Sequence, residues 1–275
     1  MRLVCGSLNR LTLQLKMMPL KLMHIRVFLS ISLLTFSGLL HAQERVVTAG
    51  FQFKPIFSSK FFNTGPQELN WNAQYFDTVP QLIYQDAASF KISPQSGYCM
   101  GMVIRMGLTE TWSLESGINF ISRNYDLKMT DSTGSDDTQF KLVSYQIPIQ
   151  GLVFIQLSDQ VFMDVSMGAA VDFYPSDVAT YGDRFIHSSA RRSWLSSSLL
   201  ANIGWEYRTE ENGYFYVGAS YNRPFRPIMR SFFKRPTTDY GPDEFIDLKG
   251  NYLTVDLRYF FHSDPMRKKK KNKKS

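Results

Sequence analysis

The segment GYCMGMVIRMG, residues 97–107, decides how the rest of the chain is read. Tyr98, Met100, Met102, Ile104 and Met106 fall at every second position, with Cys99, Gly101, Val103, Arg105 and Gly107 between them. Strand side chains point alternately to opposite faces, so one face is large and apolar and the other small or charged. A helix would scatter both sets around its circumference.

The same division recurs outward from that segment in both directions. Upstream, Phe51 and Phe53 oppose Gln52 and Lys54. Downstream, Trp112, Leu114, Ile118 and Phe120 oppose Ser113, Glu115, Asn119 and Arg123, and Val143, Tyr145, Ile147 and Ile149 oppose Leu142, Ser144, Gln146 and Pro148. Met163, Val165 and Met167 then oppose Asp164, Ser166 and Asp172, while Ile203, Trp205 and Tyr207 oppose Asn202, Gly204 and Glu206. Phe215 and Val217 oppose Tyr216 and Gly218, and Val255, Leu257 and Tyr259 oppose Asp256 and Arg258. Eight segments fit one template.

The connections alternate too. Short ones lie at 108–111, 158–160 and 209–213, the last carrying the turn sequence EENG; long ones lie at 58–96, 128–139, 175–193 and 224–250. Tight turns on one side and long polar loops on the other match an outer-membrane barrel. A soluble lipocalin-like barrel alternates as well, but turns its apolar side inward. Here the non-apolar faces are rich in Gly, Ser, Ala and Asn, which suit a crowded eight-strand interior, and the apolar faces end in Trp112, Tyr98, Trp205, Phe173 and Tyr259. The expected fold is therefore all-β: an eight-stranded antiparallel up-and-down transmembrane β-barrel. Both mature termini are expected on the short-turn, periplasmic side.

Charge and targeting agree with export. The formal charge is +7, but residues 1–42 carry five bases and no acid, and seven more bases cluster from Arg267 to Lys274. Without those twelve, 19 basic residues face 24 acidic ones, so the body is acidic and nucleic acid is not an expected partner. VFLSISLLTFSGLL at 27–40 follows Lys21 and Arg26 and precedes His41-Ala42, the order of a secretory signal peptide. Its fourteen residues span only about 21 Å as a helix, short of a membrane crossing. The expected organisation is a signal peptide over 1–42, a barrel over 43–262 and a basic tail over 263–275. Of Cys5 and Cys99 only Cys99 lies past the leader, which excludes an internal disulfide.

On the inward parity, Lys54, Arg105, Arg123 and Arg258 stand against Glu115, Asp164, Asp172, Glu206 and Asp256. Signs so nearly balanced predict an ion-paired plug, whereas a selective pore favours one sign in excess. The charges on the apolar parity, Asp126, Lys141 and Arg223, all fall at loop-side strand ends, where they can snorkel.

Three stretches resemble a known family: GLTETWSLESGINFISRNYDLK at 107–128, LVSYQIPIQGLVF at 142–154 and VSMGAAVDF at 165–173. They are similar to the outer-membrane β-barrel domain of the Bacteroidota, the PorT-like "porin family" of small barrels. The resemblance implies a barrel in the outer membrane and a structural or interaction role, accessory to secretion or surface attachment. The chain departs from the pattern of such barrels at its end, where Phe261 is followed by fourteen further residues.

Catalytic chemistry has few candidates. Past the leader only His187 and His262 remain, and His187 precedes Ser188 and Ser189 in a long loop. A lipid A-modifying enzyme stands behind a narrow solute channel as an alternative, and both stand behind a non-catalytic role. No spacing suggests a metal or a cofactor. The long loops hold Trp71, Tyr75 and Phe76, and Arg226, Arg230, Phe232 and Phe233. Exposed aromatics with arginines suit a protein partner or the anionic groups of outer-membrane lipid and lipopolysaccharide; the alternative is that these loops fold over the barrel mouth and cover it.

Overall fold

The computed structural model of the protein describes residues 46–58, 65–76, 83–209, 213–234 and 245–261. The leader expected over 1–42, the basic tail and His262 lie outside the described residues. Among the described residues fourteen strands follow in chain order. They are β1 (Val47–Phe57), β2 (Gln67–Phe76), β3 (Ile83–Pro94), β4 (Gly97–Gly107), β5 (Trp112–Asp131), β6 (Gly134–Gln156) and β7 (Val161–Phe173). After these come β8 (Val178–Tyr181), β9 (Ile186–Arg191), β10 (Leu195–Arg208), β11 (Tyr214–Pro224), β12 (Met229–Lys234), β13 (Ile246–Leu248) and β14 (Tyr252–Phe260).

Eight of them close a ring through antiparallel pairs: β1–β4, β4–β5, β5–β6, β6–β7, β7–β10, β10–β11, β11–β14 and β14–β1. These are the eight segments of strict alternation. A closed ring pairs its backbone groups strand to strand and presents no edge. The register places Gly204 opposite Gly218 on the inner face, and a methyl at either would strike the Tyr216 hydroxyl. Tyr216 thus crosses the lumen over a floor that only glycine allows.

The ring is buried on its inner parity and exposed on its outer one. Along β4, Cys99, Val103 and Arg105 are buried while Met102 is 52% exposed; along β5, Glu115 and Asn119 are buried while Ile118 is 58% exposed; on β7, Met167 reaches 63%. A continuous exposed band of Phe, Ile, Met, Val and Leu is far too apolar for water and is what lipid requires.

The other six strands correct the expectation of plain long loops. Segment 58–96 holds β2 and β3, 175–193 holds β8 and β9, and 224–250 holds β12 and β13. Segment 128–139 is no long connection at all, because β5 and β6 run on as one hairpin that turns at Ser132 and Thr133. Asp131 caps that turn by accepting from the backbone N–H of Thr133 and Gly134 at 2.8 and 3.0 Å. Beyond the barrel, β3 takes over from β4 as the partner of β5. The break falls at Pro94, which has no N–H to donate, and the ladder resumes through Gln95 N–H to the Asn124 carbonyl at 2.8 Å.

These extensions build a two-sheet lobe on the loop end of the barrel. One sheet is β2, β3 and the far halves of β5 and β6; the other is β13-β12-β9-β8. Between them lies the main apolar core, with Phe90, Leu127, Met129, Phe185, Met229 and Phe233 at its centre. On the outer face of β5 the apolar positions end at Phe120 and give way to Ser122, Asn124, Asp126, Lys128 and Thr130. From Asn124 to Asp131 the strand therefore runs on for about 25 Å of its own length past the apolar belt.

Candidate functional site

The alternation of the ring strands sends their polar parity into one narrow space. Eight charges there form a single connected network. Lys54 lies 2.9 Å from Asp256, and Asp256 2.8 Å from Arg258. Arg258 reaches Glu115 at 2.5 Å, and Glu115 lies 3.2 Å from Arg105. Arg105 also binds Glu206 and stands 3.6 Å from Asp164, and Glu206 is held by Arg208 at 2.6 Å. The bonds tie residues from β1, β4, β5, β7, β10 and β14. Four positive and four negative groups offset one another.

Neutral polar groups complete the wiring. Asp256 accepts from Ser220 and Thr254 at 2.5 Å each and from Asn202 at 2.8 Å. Gln52 donates to Asn119, and Asn119 to Gln146. The guanidinium of Arg105 lies 4.1 Å from the centroid of Phe260, and that of Arg258 4.7 Å from Tyr216. Burying so many charges is tolerable because most are both paired and hydrogen-bonded; Asp164 has its 3.6 Å ion pair but neither of its oxygens accepts a hydrogen bond among the described residues. Gln52, Asn119, Gln146 and Asn202 lie on the polar parity read from the sequence, while Arg208, on the same parity as Glu206, is absent from the charge set read there.

The lumen is full. Between Lys54, Cys99, Asn119, Gln146, Asn222 and Tyr252 there remains a cavity of about 20 Å³, room for about one water molecule. At the turn end a mouth of about 210 Å³ is lined by Thr48, Arg105, Glu110, Ser113, Arg208 and Tyr214.

Two of the nine inward charges stand apart from the network. Asp172 accepts from Gln146 at 2.8 Å and Ser198 at 2.6 Å but has no cation within ion-pair distance among the described residues. Arg123 donates from Nη1 to the Gly250 carbonyl at 3.3 Å and stacks 4.8 Å from the centroid of Tyr252. Its Nε and Nη2 are buried with no hydrogen-bond partner among the described residues. Gly250 can offer that carbonyl because its φ of 73° is open to glycine, and a side chain there would strike Ile228.

The lobe contains a second polar cluster. His187 Nε2 is 2.8 Å from Ser189 Oγ, Ser189 Oγ is 2.5 Å from Ser231 Oγ, and Thr180 Oγ1 is 3.0 Å from His187 Nδ1. The imidazole is packed between Phe140 and Phe233, at 4.6 and 5.5 Å between centroids. His187, Ser189 and Ser231 are all sealed from solvent, and burial lowers the His187 pKa to about 4. A nucleophile needs a route for substrate, and none opens here. Ser188, adjacent to His187 in β9, points outward, as the alternation of a strand requires.

The loop residues divide. Phe233 is a core residue, 4.3 Å from Phe90 between ring centroids, because the alternation of β12 turns it inward; the reading of it as a surface contact is corrected. Trp71 is half-buried against the lobe core. Phe232 and Arg226 are exposed, and Arg230 binds Asp247 at 3.1 Å while its guanidinium lies 3.5 Å from the centroid of Phe245. The side chains of Tyr75 and Phe76 lie outside the described residues. Among the described residues no three His, Cys, Asp or Glu side chains are grouped to hold a metal ion.

A family model described as "Outer membrane protein beta-barrel domain" matches residues 68–230, more than half of the chain. No curated protein matches. Among solved structures, the chain is similar to the outer membrane protein OprG of Pseudomonas aeruginosa, at 11% identity and a TM-score of 0.43, covering 79% of this chain and 95% of that one. It is also similar to the outer membrane protease OmpT of Escherichia coli, at 9% identity and a TM-score of 0.31, covering 79% of this chain and 96% of that one.

Proposed function

The chain belongs to the outer membrane protein β-barrel domain family, and from that premise we propose that it is a non-catalytic interaction protein. In this reading it crosses the membrane as an eight-stranded up-and-down barrel after a leader ending near Ala42 has been removed. The lobe faces outward and both mature ends lie in the periplasm. The PorT-like resemblance of its strands extends the proposal to an accessory of secretion or surface attachment in a Bacteroidota-type envelope.

The observation that carries this reading is a barrel closed twice over. The lumen is filled by the ion-paired network, and the loop end is covered by a folded lobe built on the far halves of β5 and β6. Conduction and lumenal catalysis both need space that such an interior does not offer. The lobe instead presents Tyr181, Phe232 and Phe245 with Arg230 on the outer face of its second sheet. Aromatics beside arginine are the side chains that anchor protein interfaces.

Reconstitution in a planar bilayer tests the reading: silent membranes are expected, and steady single-channel steps would promote the channel. A second arm complements a deletion strain with Arg230→Ala/Phe232→Ala. Protein that still migrates differently before and after boiling, but fails to complement, is the expected result. Full complementation would remove this face from the proposal.

A further inference from the structure

Most arginines near the loop end are already engaged. Arg191 lies 3.6 Å from Asp177, Arg192 3.0 Å from Asp247, and Arg230 3.1 Å from the same Asp247. Arg223 and Arg226 differ. Both are exposed, and neither has an ion pair or side-chain hydrogen bond among the described residues.

Their position is specific. Arg223 pairs with Leu199 and occupies the next outward position after Tyr221, where the apolar face of β11 ends. Phe225 follows it, pinned by its N–H to the Ser197 carbonyl at 3.0 Å. Phe225 is 63% exposed and Trp194, at the head of the neighbouring strand β10, 64%. Segments 193–200 and 219–228 contain no acidic residue. At the opposite, turn end of the belt the exposed charges include Glu110 and Asp159. The head of β10 and the end of β11 thus carry two free guanidinium groups, whereas the opposite, turn end carries exposed carboxylates.

Solitary arginines at a lipid boundary snorkel into water. Two unpaired ones, three residues apart, beside two exposed aromatic rings and with no local acid, match a different object. Aromatic rings settle at the level of lipid headgroups, and guanidinium groups bind phosphate oxygens in pairs. We infer that Arg223 and Arg226, with Trp194 and Phe225, form a binding site for the phosphate groups of an anionic glycolipid in the outer leaflet. The inference rests on the membrane-spanning reading. The rings lie against the acyl boundary while the guanidinium groups hold the phosphorylated sugar above it.

The test uses the full-length mature chain in nanodiscs of phosphatidylethanolamine with or without bis-phosphorylated lipid A, and counts retained lipid by native mass spectrometry. Wild type should retain lipid A, and Arg223→Gln/Arg226→Gln should bind it at least about tenfold more weakly. Lipid A stripped of its phosphates should bind wild type no better than it binds the variant. Displacement by millimolar inorganic phosphate would point to a free-anion site and overturn the lipid assignment. Equal retention by wild type and a variant that still shifts mobility on boiling would overturn this inference alone. A wild-type chain that does not enter bilayers would overturn the membrane reading and this inference together.

Discussion

Strand β5 can be divided at Arg123 and its two halves compared. In the barrel half the inward residues are Ser113, Glu115 and Asn119 and the outward ones Trp112, Leu114, Ile118 and Phe120. In the lobe half the inward residues are Tyr125, Leu127 and Met129 and the outward ones Asn124, Asp126, Lys128 and Thr130. The parity never slips, yet the chemistry inverts. A strand surrounded by lipid puts its polar side in the only place where polar partners exist, the lumen. The same strand in water puts its apolar side against a second sheet. The difference teaches that the surrounding solvent changes along this one strand, and that the change falls between Phe120 and Asn124.

The two halves should also fail differently. The largest effect belongs to the lumen: Arg105→Met leaves three buried carboxylates short of a partner and should cost about 3–5 kcal/mol, read as a lower urea midpoint for loss of the heat-modifiable form. Adding Glu206→Gln should restore part of the loss; an unchanged midpoint for Arg105→Met would break the claim that the network holds the barrel. In the lobe, Phe90→Ala removes a ring stacked on Phe233 and should cost about 3 kcal/mol there. Faster proteolysis of the lobe strands with intact heat modifiability is the expected outcome, and loss of the barrel as well would mean that the halves are not separable.

A smaller effect is pH-dependent and should appear only in the lobe. The His187 pKa falls to about 4 in the folded lobe because burial penalises its charged form. The unfolded lobe takes up a proton near the ordinary value of 6.5, so stability is complete above that pH and declines toward pH 4, by up to about 3 kcal/mol. Protection factors of the β9 and β12 amides, corrected for the intrinsic pH dependence of exchange, should fall over that window and lose the dependence in His187→Phe. A fall in the ring strands instead would locate the titration elsewhere. The smallest effect is expected at the seam. Arg123→Met removes a buried charge that has no direct ion partner, so stability should be unchanged or rise by about 1 kcal/mol. A loss as large as that of Arg105→Met would show that Arg123 and Asp172 are coupled after all.

Particular residues explain how much of this was legible in advance. The ring strands were readable because each keeps an apolar and a polar face over many residues, as β4 and β14 do. The lobe strands were not: β8 has four residues and β13 three, too few for any period to register. Segment 128–139, KMTDSTGSDDTQ, reads as a loop because its inward side offers little beyond Met129; its strands rest on the hairpin pairing of 128–131 with 134–137 and on β3 alongside. Phe233 looked like a surface residue for the same reason. Its neighbour Phe232 is the exposed one, and only the register of β12 against β9 tells the two apart. The inward charges were countable from parity, but Arg208 was passed over at a strand end, and nothing local distinguished Arg105, which touches three carboxylates, from Arg123, which touches none.

Alternation by itself determined that the chain is built from strands with two unlike faces, how many of those strands can close a ring, and which side chains share the enclosed space. It could do so because a period of two is a property of neighbouring residues. What only the tertiary structure decided is what each face meets. Arg258 finds Glu115 143 positions away, and β5 passes from lipid to a packed lobe without any change of period. Both depend on contacts between strands distant in the chain, and a strand's own periodicity carries no record of them.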